Sequence, residues 1–283
     1  MALTDPQIVK AANVCLKEAA GTINMLKKFA FDASEEFASA GATVKVPVAS
    51  VGTISAFNKS TNNFEKNDGS ITWETITLDT PVKATWELDA EDLVKMPVGS
   101  YINTFGETAS GKIQRYISAK IGGLFNTTDI TASETLTLTL KGIATLRGKC
   151  VARPADTVLM LDSASYNELL SLLPADIYGT SEAIQNGYID KAFGFSAVVE
   201  AFDLPSGVKG ALLPKSNLVI VSRNFQVADE SGYSEFGYQA DPDTGFSVTM
   251  MKHCAPATGS AYLNAVALFG AKVIKKGEVK LLV

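Results

Sequence analysis

A chain of 283 residues with 46% hydrophobic and 19% charged residues has the composition of a globular protein with a sizeable core, which excludes global disorder. The formal net charge of −5 weighs against a nucleic-acid-binding surface, because affinity for phosphate comes chiefly from clustered Lys and Arg. No apolar run reaches the roughly 18 residues that span a bilayer, and the first residues lack the apolar core of a secretion signal, so we expect a cytosolic origin. Cys15, Cys150 and Cys254 are far apart and follow no metal-ligand spacing, so we expect reduced core thiols.

The first part of the chain predicts an arm followed by a strand. Residues 6–30 carry a loose helical pattern that Gly21 interrupts, which indicates an arm with helical pieces. In "GATVKVPVAS", Val44, Val46 and Val48 alternate with polar residues and with Pro47, which cannot donate to a strand ladder. This stretch therefore predicts an edge strand.

A long hairpin system is predicted over residues 42–88. Its tip, "NKSTNNFEKNDGS" at 58–70, is polar, and the chain returns through alternating residues that end in "VKATWEL". Strands of about ten residues would extend on the order of 30 Å, whereas a compact chain of this length has a radius of gyration of about 19 Å. We therefore expect the hairpin to project from the body and to lie on another copy of the protein. The candidate residues for this subunit interface are Asn58, Lys59, Phe64, Glu65, Lys66, Asp68 and Trp73.

A long amphipathic helix is predicted next. Apolar residues keep three-and-four spacing from Ser100 to Asn126, which corresponds to about 25 residues and nearly 40 Å. Gly106 and Gly111 each weaken such a helix by about 1 kcal/mol relative to Ala, so tertiary packing must hold it straight.

Strands and helices alternate after this helix, which indicates a mixed α/β lobe. The Thr-rich stretch 127–141 is strand-like at its end, and Thr157–Leu161 has the continuous apolar character of a buried strand. A helix capped by Ser163 or Asp162 is predicted to run up to Pro174.

The last part of the chain predicts further strands. "FSAVVEAF" and "SNLVIVSR" are separated by a Leu-Pro-Ser-Gly turn, and the tail from residue 246 holds two or three strands that most easily pair with the earlier long ones. The lobe that contains the chain ends is then discontinuous in sequence. Four lysines near the C-terminus are expected on the solvent face of a final strand: Lys272, Lys275, Lys276 and Lys280.

The sequence lacks the residue combinations that catalysis requires. His253 is the only histidine, and acid–base or nucleophile activation most often uses that side chain. "GYSEFG" at 232–237 misses the nucleophile-elbow spacing by one residue, and "GETASGK" at 106–112 lacks the Ser or Thr of a phosphate-binding loop. "DPDTG" at 241–245 lacks the Glu of a calcium loop and is interpreted as a turn. We therefore expect no enzyme and no catalytic, metal or cofactor site.

The order and spacing of several stretches resemble one family. They are "GATVKVPV", "VKATWELDAEDL", "YINTFGETASGKIQRYISAKIGGLF", "TVLMLDSASYNELL", "NGYIDKAFGFSAVVEAFDLP" and the closing "DPDTGFSVTMMKH…AVALFGAKVIKKGEV". In this order they resemble the major capsid proteins of tailed bacteriophages with the Hong Kong 97-type fold, in the branch related to the coat protein of Salmonella podoviruses.

The resemblance implies an α+β fold with named parts. These parts are an N-terminal arm (1–35), an extended loop with the first peripheral-domain strands (36–98), a spine helix (99–126), an axial domain (127–225) and a return to the peripheral domain (226–283). It also implies hexamers and pentamers of many copies, an icosahedral shell that encloses double-stranded DNA without specific binding, a scaffolding protein and a portal as assembly partners, and no membrane. The location would be the virion, assembled in the host bacterial cytoplasm.

Some family features are not expected here. No additional inserted domain is recognisable, and no long charged N-terminal segment suggests a built-in scaffold. Lys59 and Lys66 lie near Asn62, Asn63 and Asn67, but solvated loop tips contain the same residue types, so we expect no Lys–Asn crosslink.

Alternatives remain open at the level of sequence. Phe64, Trp73 and Trp86 are candidate apolar anchors between subunits, but Trp73 and Trp86 could equally be buried within the subunit. An encapsulin-type nanocompartment of the same fold, enclosing an enzyme cargo, would differ in containing no nucleic acid. A monomeric α+β enzyme is the remote alternative.

Overall fold

The computed structural model describes residues 15, 30–34, 43–50, 70–78, 81–88, 98–172, 188–201, 203–215, 217–223, 225, 235–240, 246–255 and 260–283. These residues form an α+β protein with two six-stranded sheets, a two-stranded ribbon and α-helices. In chain order the strands are β1 (Phe31–Asp32), β2 (Thr43–Ser50), β3 (Ser70–Thr77), β4 (Val82–Leu88), β5 (Ser133–Glu134), β6 (Thr157–Asp162), β7 (Tyr188–Asp190), β8 (Ala197–Ala201), β9 (Gly210–Pro214), β10 (Leu218–Arg223), β11 (Glu235–Ala240), β12 (Ser247–Ala255), β13 (Ser260–Val273) and β14 (Lys280–Leu282). The helices are α1 (Val98–Gly122), α2 (Leu140–Gly148) and α3 (Ser163–Ser171).

The first sheet is organised around β13. Its strand order is β1-β10-β13-β12-β11, and β4 also pairs with β13. Residues 261–267 of β13 pair with β12 and with β4, and residues 268–273 pair with β10, all antiparallel. The prediction that the tail pairs with an earlier long strand is therefore confirmed by β13 and β4.

The predicted long helix is confirmed as α1, which packs on one face of the first sheet. Its buried stripe and the odd-numbered residues of β13 from 263 to 273 belong to one apolar core, in which Phe105, Ile113, Ile117, Leu263 and Phe269 are almost completely buried. The helix ends at Gly122, four residues before the predicted Asn126. The Asn126 side chain closes the turn that follows, because its Nδ2 donates to the Gly123 carbonyl (3.1 Å) and its Oδ1 accepts from the Asp129 N–H (2.8 Å).

The second sheet has an apolar core on each face. Its order is β5-β14-β9-β6-β8-β7, with β6 parallel to β8 and antiparallel to β9. Along β6, Val158 and Met160 join the core that contains α1, whereas Leu159 and Leu161 face a second core formed with α2 and α3. Burial on both faces explains the continuous apolar run that predicted this strand.

Helix α3 is capped as the sequence predicts. Asp162 Oδ1 accepts a hydrogen bond from the Ser165 N–H at 2.8 Å. The helix buries Tyr166, Leu169 and Leu170 in the second core, and burial, assisted by the nearby Glu200 carboxylate, raises the pKa of Tyr166 to about 12. The predicted end at Pro174 lies outside the described residues.

One strand of the second sheet and one helix packed on it were missed or wrongly assigned by the sequence analysis. The prediction of a strand at the end of 127–141 is wrong, because helix α2 begins at Leu140. The Thr139 side chain caps this helix by accepting a hydrogen bond from the Gly142 N–H at 3.0 Å. The hydroxyl of Thr139 thus favours a helix start where β-branched composition indicated a strand. Strand β9 follows the predicted Leu-Pro-Ser-Gly turn, in a stretch to which the sequence analysis assigned no element.

The four C-terminal lysines do not share one strand face, so that prediction is also wrong. Lys272 lies on β13 and Lys280 on β14, while Lys275 and Lys276 lie in the connection between them. Each lysine lies within 4 Å of a different carboxylate. The pairs are Lys272 with Glu74, Lys275 with Glu278, Lys276 with Asp129, and Lys280 with Glu134. The hydrogen bond from Lys276 lowers the pKa of Asp129, and that from Lys280 lowers the pKa of Glu134.

Two strands near the ends of predicted domains pair in the sheet of the other domain. β10, at the end of the predicted axial range, pairs in the first sheet, and the C-terminal β14 pairs in the second. Most of the predicted N-terminal arm lies outside the described residues, although Cys15 is buried in the first core, where burial raises its pKa to about 12. The five-part division of the chain stays a prediction.

Replacing Gly210 with Ala is expected to destabilise the second sheet. A Cβ at Gly210 would lie 2.2 Å from the Met160 carbonyl oxygen on the neighbouring strand, so β9 and β6 would have to separate. We expect a loss of about 2 kcal/mol or more in unfolding free energy, measured by urea titration of the dispersed subunit. Gly111→Ala is the control, because open space surrounds that exposed helical position and Ala should add up to about 1 kcal/mol. An unchanged urea midpoint for Gly210→Ala would contradict the close approach.

Candidate subunit interface

The predicted hairpin forms a two-stranded ribbon of β2 and β3. The strands pair antiparallel from Thr43↔Thr77 to Ser50↔Ser70. Pro47 lies opposite Trp73, in a strand whose described pairing is with β3 alone, which agrees with its prediction as an edge strand. The predicted hairpin system reached to residue 88, but β4 belongs to the first sheet, so the ribbon ends before β4.

The inner face of the ribbon lies on the first sheet, on the side opposite α1. Val44, Val46 and Ile76 form a buried cluster with Val219 and Val221 of β10. The other residues of that strand, including Leu218 and Ile220, face the core of α1. The sheet is thus covered on both faces at β10, and the base of the ribbon is fixed to its own subunit.

Gly270 of β13 allows the ribbon to approach closely. A Cβ there would lie 3.1 Å from the Thr77 carbonyl oxygen and 3.2 Å from Ile76 Cγ2. Two residues further on, Lys272 Nζ pairs with Glu74 Oε2 at 2.8 Å and donates to the Thr75 carbonyl at 3.0 Å. Gly270 therefore leaves room for β3 to cross β13, and Lys272 binds β3 in that position.

Burial of the inner face decreases along the ribbon. Val44 is 1% exposed and Val46 4%, whereas Val48 is half-buried. On β3, Ile76 is buried, Glu74 is half-buried and Thr72 is exposed. The last described rungs thus extend beyond the sheet that covers the base, as expected for a hairpin that leaves the body.

The outer face of the ribbon exposes apolar side chains. Ile71 is 67% exposed and Trp73 60%, and their cross-strand partners Ala49 and Pro47 are exposed as well. These four residues form the outer ribbon patch. Aromatic and branched apolar side chains at such exposure are typical of interaction surfaces, because leaving them in water forgoes their burial energy.

The structure places two of the sequence-predicted anchors differently. Trp73 is exposed on the outer ribbon patch, whereas Trp86 is half-buried and stacks on Phe105 of α1 at a centroid distance of 5.9 Å. The other six interface candidates, from Asn58 to Asp68, lie outside the described residues. Ile71 was missed, although its spacing of two residues from Trp73 places both side chains on one strand face.

A small cavity of about 160 Å³ lies between β4 and α1. Trp86 and Phe105 form its apolar wall, and Thr104, Thr108 and Lys112 contribute polar groups. The cavity accommodates a group the size of one amino-acid side chain, which is smaller than the sites that hold cofactors.

The described residues bring together no group of His, Cys, Asp and Glu that could hold a metal ion. His253 is an exposed residue of β12, and burial raises the pKa of the half-buried Cys150 thiol. Among the described helices, none is long and apolar enough to cross a membrane.

Comparison with solved structures relates this architecture to phage and virus-like particles. No protein-family model and no curated protein sequence matches the chain. A structure titled "Mycobacterium phage Che8" matches with a TM-score of 0.52 and 16% identity, over 88% of this chain and 86% of that one. The capsid of an empty GTA particle matches with a TM-score of 0.55 and 14% identity, over 92% and 89% of the two chains. A virus-like particle from Pyrococcus furiosus matches with a TM-score of 0.54 and 12% identity, over 97% and 98%.

The chain has the Hong Kong 97-type capsid fold. This confirms the fold that the resemblance implied, with α1 as the long helix and the β2–β3 ribbon as the start of the extended loop. Identities of 12 to 16% show the fold alone. The narrower resemblance to the Salmonella podovirus branch stays a prediction.

Substitutions on opposite faces of β3 are expected to separate folding from association. Ile76→Ala removes a side chain buried against β10 and should cost about 2 to 4 kcal/mol of unfolding free energy. Trp73→Ser changes an exposed side chain and should alter the unfolding free energy of the dispersed subunit by no more than about 0.5 kcal/mol. Urea unfolding followed by circular dichroism measures both. Equal destabilisation by the two variants would mean that the outer ribbon patch is covered within the subunit.

Proposed function

We propose that this protein is the major capsid protein of a tailed bacteriophage. Its copies assemble, as hexamers and pentamers, into an icosahedral shell that encloses double-stranded DNA. The observation that carries this proposal is the outer ribbon patch: a capsid-type fold presents an apolar face on a ribbon whose base is fixed and whose distal rungs leave the body.

The occupant of the outer ribbon patch in this proposal is a neighbouring copy of the same chain. Burying two large apolar side chains such as Ile71 and Trp73 contributes about 3 to 5 kcal/mol before the entropy cost of association. Each subunit of a shell contributes one ribbon and receives another, so this contribution recurs at every subunit. The candidates Asn58, Lys59, Phe64, Glu65, Lys66 and Asp68 would extend the same contact beyond the described rungs.

The remaining parts of the proposal follow from the capsid role. The protein would have no enzymatic activity and would assemble in the host bacterial cytoplasm, with a scaffolding protein and a portal as partners. It would reside in the virion and enclose DNA without specific binding. The net charge of −5 supports the last point, because tight phosphate contacts would oppose packaging and release of the genome.

Shell assembly tests the role of the outer ribbon patch. Produced together with its scaffolding protein, the protein should form closed shells by negative-stain electron microscopy. The double variant Ile71→Ser, Trp73→Ser should remain as soluble subunits under the same conditions, because it removes the apolar area that the neighbour covers. Deletion of residues 58–70 should have the same effect. Thr72→Ala is the matched control, since Thr72 lies between the two positions on the opposite strand face. Normal shells from the double variant would refute the role of the patch.

A protein nanocompartment is the second candidate function. It is favoured by the similarity to the virus-like particle from Pyrococcus furiosus, whose chain is covered almost completely. The two functions differ in content, so particles purified from the natural source should contain double-stranded DNA under our proposal. Absorbance at 260 and 280 nm, followed by nuclease digestion of opened particles, measures this content. Particles that hold a protein cargo and no nucleic acid would favour the nanocompartment.

A further inference from the structure

Helix α2 and the residues after it form a basic segment in an acidic protein. Between Glu134 and Asp156 the chain has no acidic residue and four cations, which are Lys141, Arg147, Lys149 and Arg153. The rest of the chain then holds 21 Lys and Arg against 30 Asp and Glu, which is a net charge of −9. Charge is therefore segregated within one subunit.

Three of the four cations are not neutralised within the described part of the chain. Lys149 Nζ lies 3.6 Å from Glu134 Oε2, and Lys280 pairs with the same carboxylate at 3.0 Å. Lys141, Arg147 and Arg153 form no ion pair among the described residues, and all three are exposed.

The Arg147 side chain lies against an unusual turn. In the connection from β7 to β8, Lys191, Phe193 and Gly194 have left-handed backbone conformations, with φ of 52°, 53° and 78°. A Cβ on Gly194 would come within 2.8 Å of Arg147 Nη2, so the guanidinium lies directly against this glycine. The turn itself is fixed, because Ala192 and Phe195 are buried in the second core. An Arg that is positioned in advance loses less conformational entropy when it binds a carboxylate.

Two exposed apolar side chains accompany the cations. Leu140 is 65% exposed at the start of α2 and Val151 is 58% exposed just after its end. Leu140, Ala144 and Arg147 follow one exposed stripe at i, i+4 and i+7, while Ile143 and Leu146 face the core. We call Leu140, Lys141, Arg147, Val151 and Arg153 the α2 surface.

We propose that the α2 surface binds an acidic surface of a second copy of this chain. The apolar residues favour a protein partner over nucleic acid, because a phosphate backbone would leave Leu140 and Val151 exposed to water. The remainder of the chain, at a net charge of −9, supplies the complementary charge. Two different surfaces of one chain then meet, which is the head-to-tail contact that closes rings. The inference rests on the proposed shell function and assigns a second contact to it.

Charge reversal at Arg147 tests the inference. Arg147→Glu should raise the critical concentration for assembly, measured by light scattering, about tenfold or more, because it places a carboxylate opposite the acidic partner. Arg147→Lys should give a smaller increase, since Lys keeps the charge but does not reproduce the contact with Gly194. Lys209→Glu is the matched control: it makes the same charge change at an exposed position of the same lobe and should stay within about twofold of the unchanged protein.

Salt and crosslinking provide independent readouts. Raising NaCl should increase the critical concentration of the unchanged protein more than that of Arg147→Glu, because salt screens the contact. A carbodiimide should couple Lys141 to a carboxylate of another copy, recognised by mass spectrometry in shells mixed from 14N- and 15N-labelled subunits. If Arg147→Glu does not fold by circular dichroism, Leu140→Ser with Val151→Ser replaces it and should raise the critical concentration as well.

The outcomes separate this inference from the proposed function. Shells that form equally well from the unchanged protein and from Arg147→Glu overturn the inference alone. No shells from the unchanged protein at any concentration, with its scaffolding protein present, overturn both. Arg147-dependent binding of a 30-base-pair DNA duplex by the dispersed subunit, with assembly unaffected by Arg147→Glu, would assign the α2 surface to nucleic acid and also overturn the inference.

Discussion

The packing of the β2–β3 ribbon across β13 is the constraint on which the rest of the structure depends. The odd-numbered residues of β13 from 263 to 273 face α1, so the other face of the sheet has to be covered separately. Gly270 provides the space for this cover, because the backbone of Thr77 comes within 3.1 Å of where its Cβ would lie. With α1 on one face and the ribbon on the other, the contacts that complete the subunit core also set the direction in which the ribbon leaves it. In a shell, that direction decides which neighbour the ribbon reaches.

The two faces of β3 give one strand two separate physical roles. Ile76 contributes to the subunit core, whereas Ile71 and Trp73 keep most of their surface in water. Because a strand alternates its side chains, neither role interferes with the other, and the isolated subunit loses little stability while the outer ribbon patch is uncovered. Under the proposed function, the subunit can therefore fold first and bury the patch later, when a neighbour becomes available.

The sequence predicted the elements whose patterns are long and regular. The three-and-four spacing of α1 and the alternation in β2 and β4 could be recognised directly, and Trp73 was found as an interface candidate. α2 was missed because four threonines between residues 131 and 139 indicate a strand, whereas the Thr139 cap and the packing of Ile143 favour a helix. β9 was missed because it is a five-residue strand whose residues are all buried, so it shows no alternation. The position of the ribbon on β10 depends on a close contact at Gly270, and no local sequence pattern indicates a tertiary contact. The clustered C-terminal lysines suggested one face, because three of their four carboxylate partners, Glu74, Asp129 and Glu134, are distant in sequence.

The two proposed association surfaces differ in how their attraction depends on distance and salt. The outer ribbon patch is apolar, so its contribution arises only on close contact and is indifferent to the orientation of approach. The α2 surface carries cations in an otherwise acidic chain, and such charges act over about a Debye length and favour particular orientations. A shell held by apolar contacts alone would trap misdirected subunits, because any covered patch is stabilising. An electrostatic contact through Arg147 would instead penalise wrong orientations, since acidic surfaces would then meet acidic surfaces. The outer ribbon patch would thus supply most of the binding energy of assembly, and the α2 surface would select the correct orientation of the subunits.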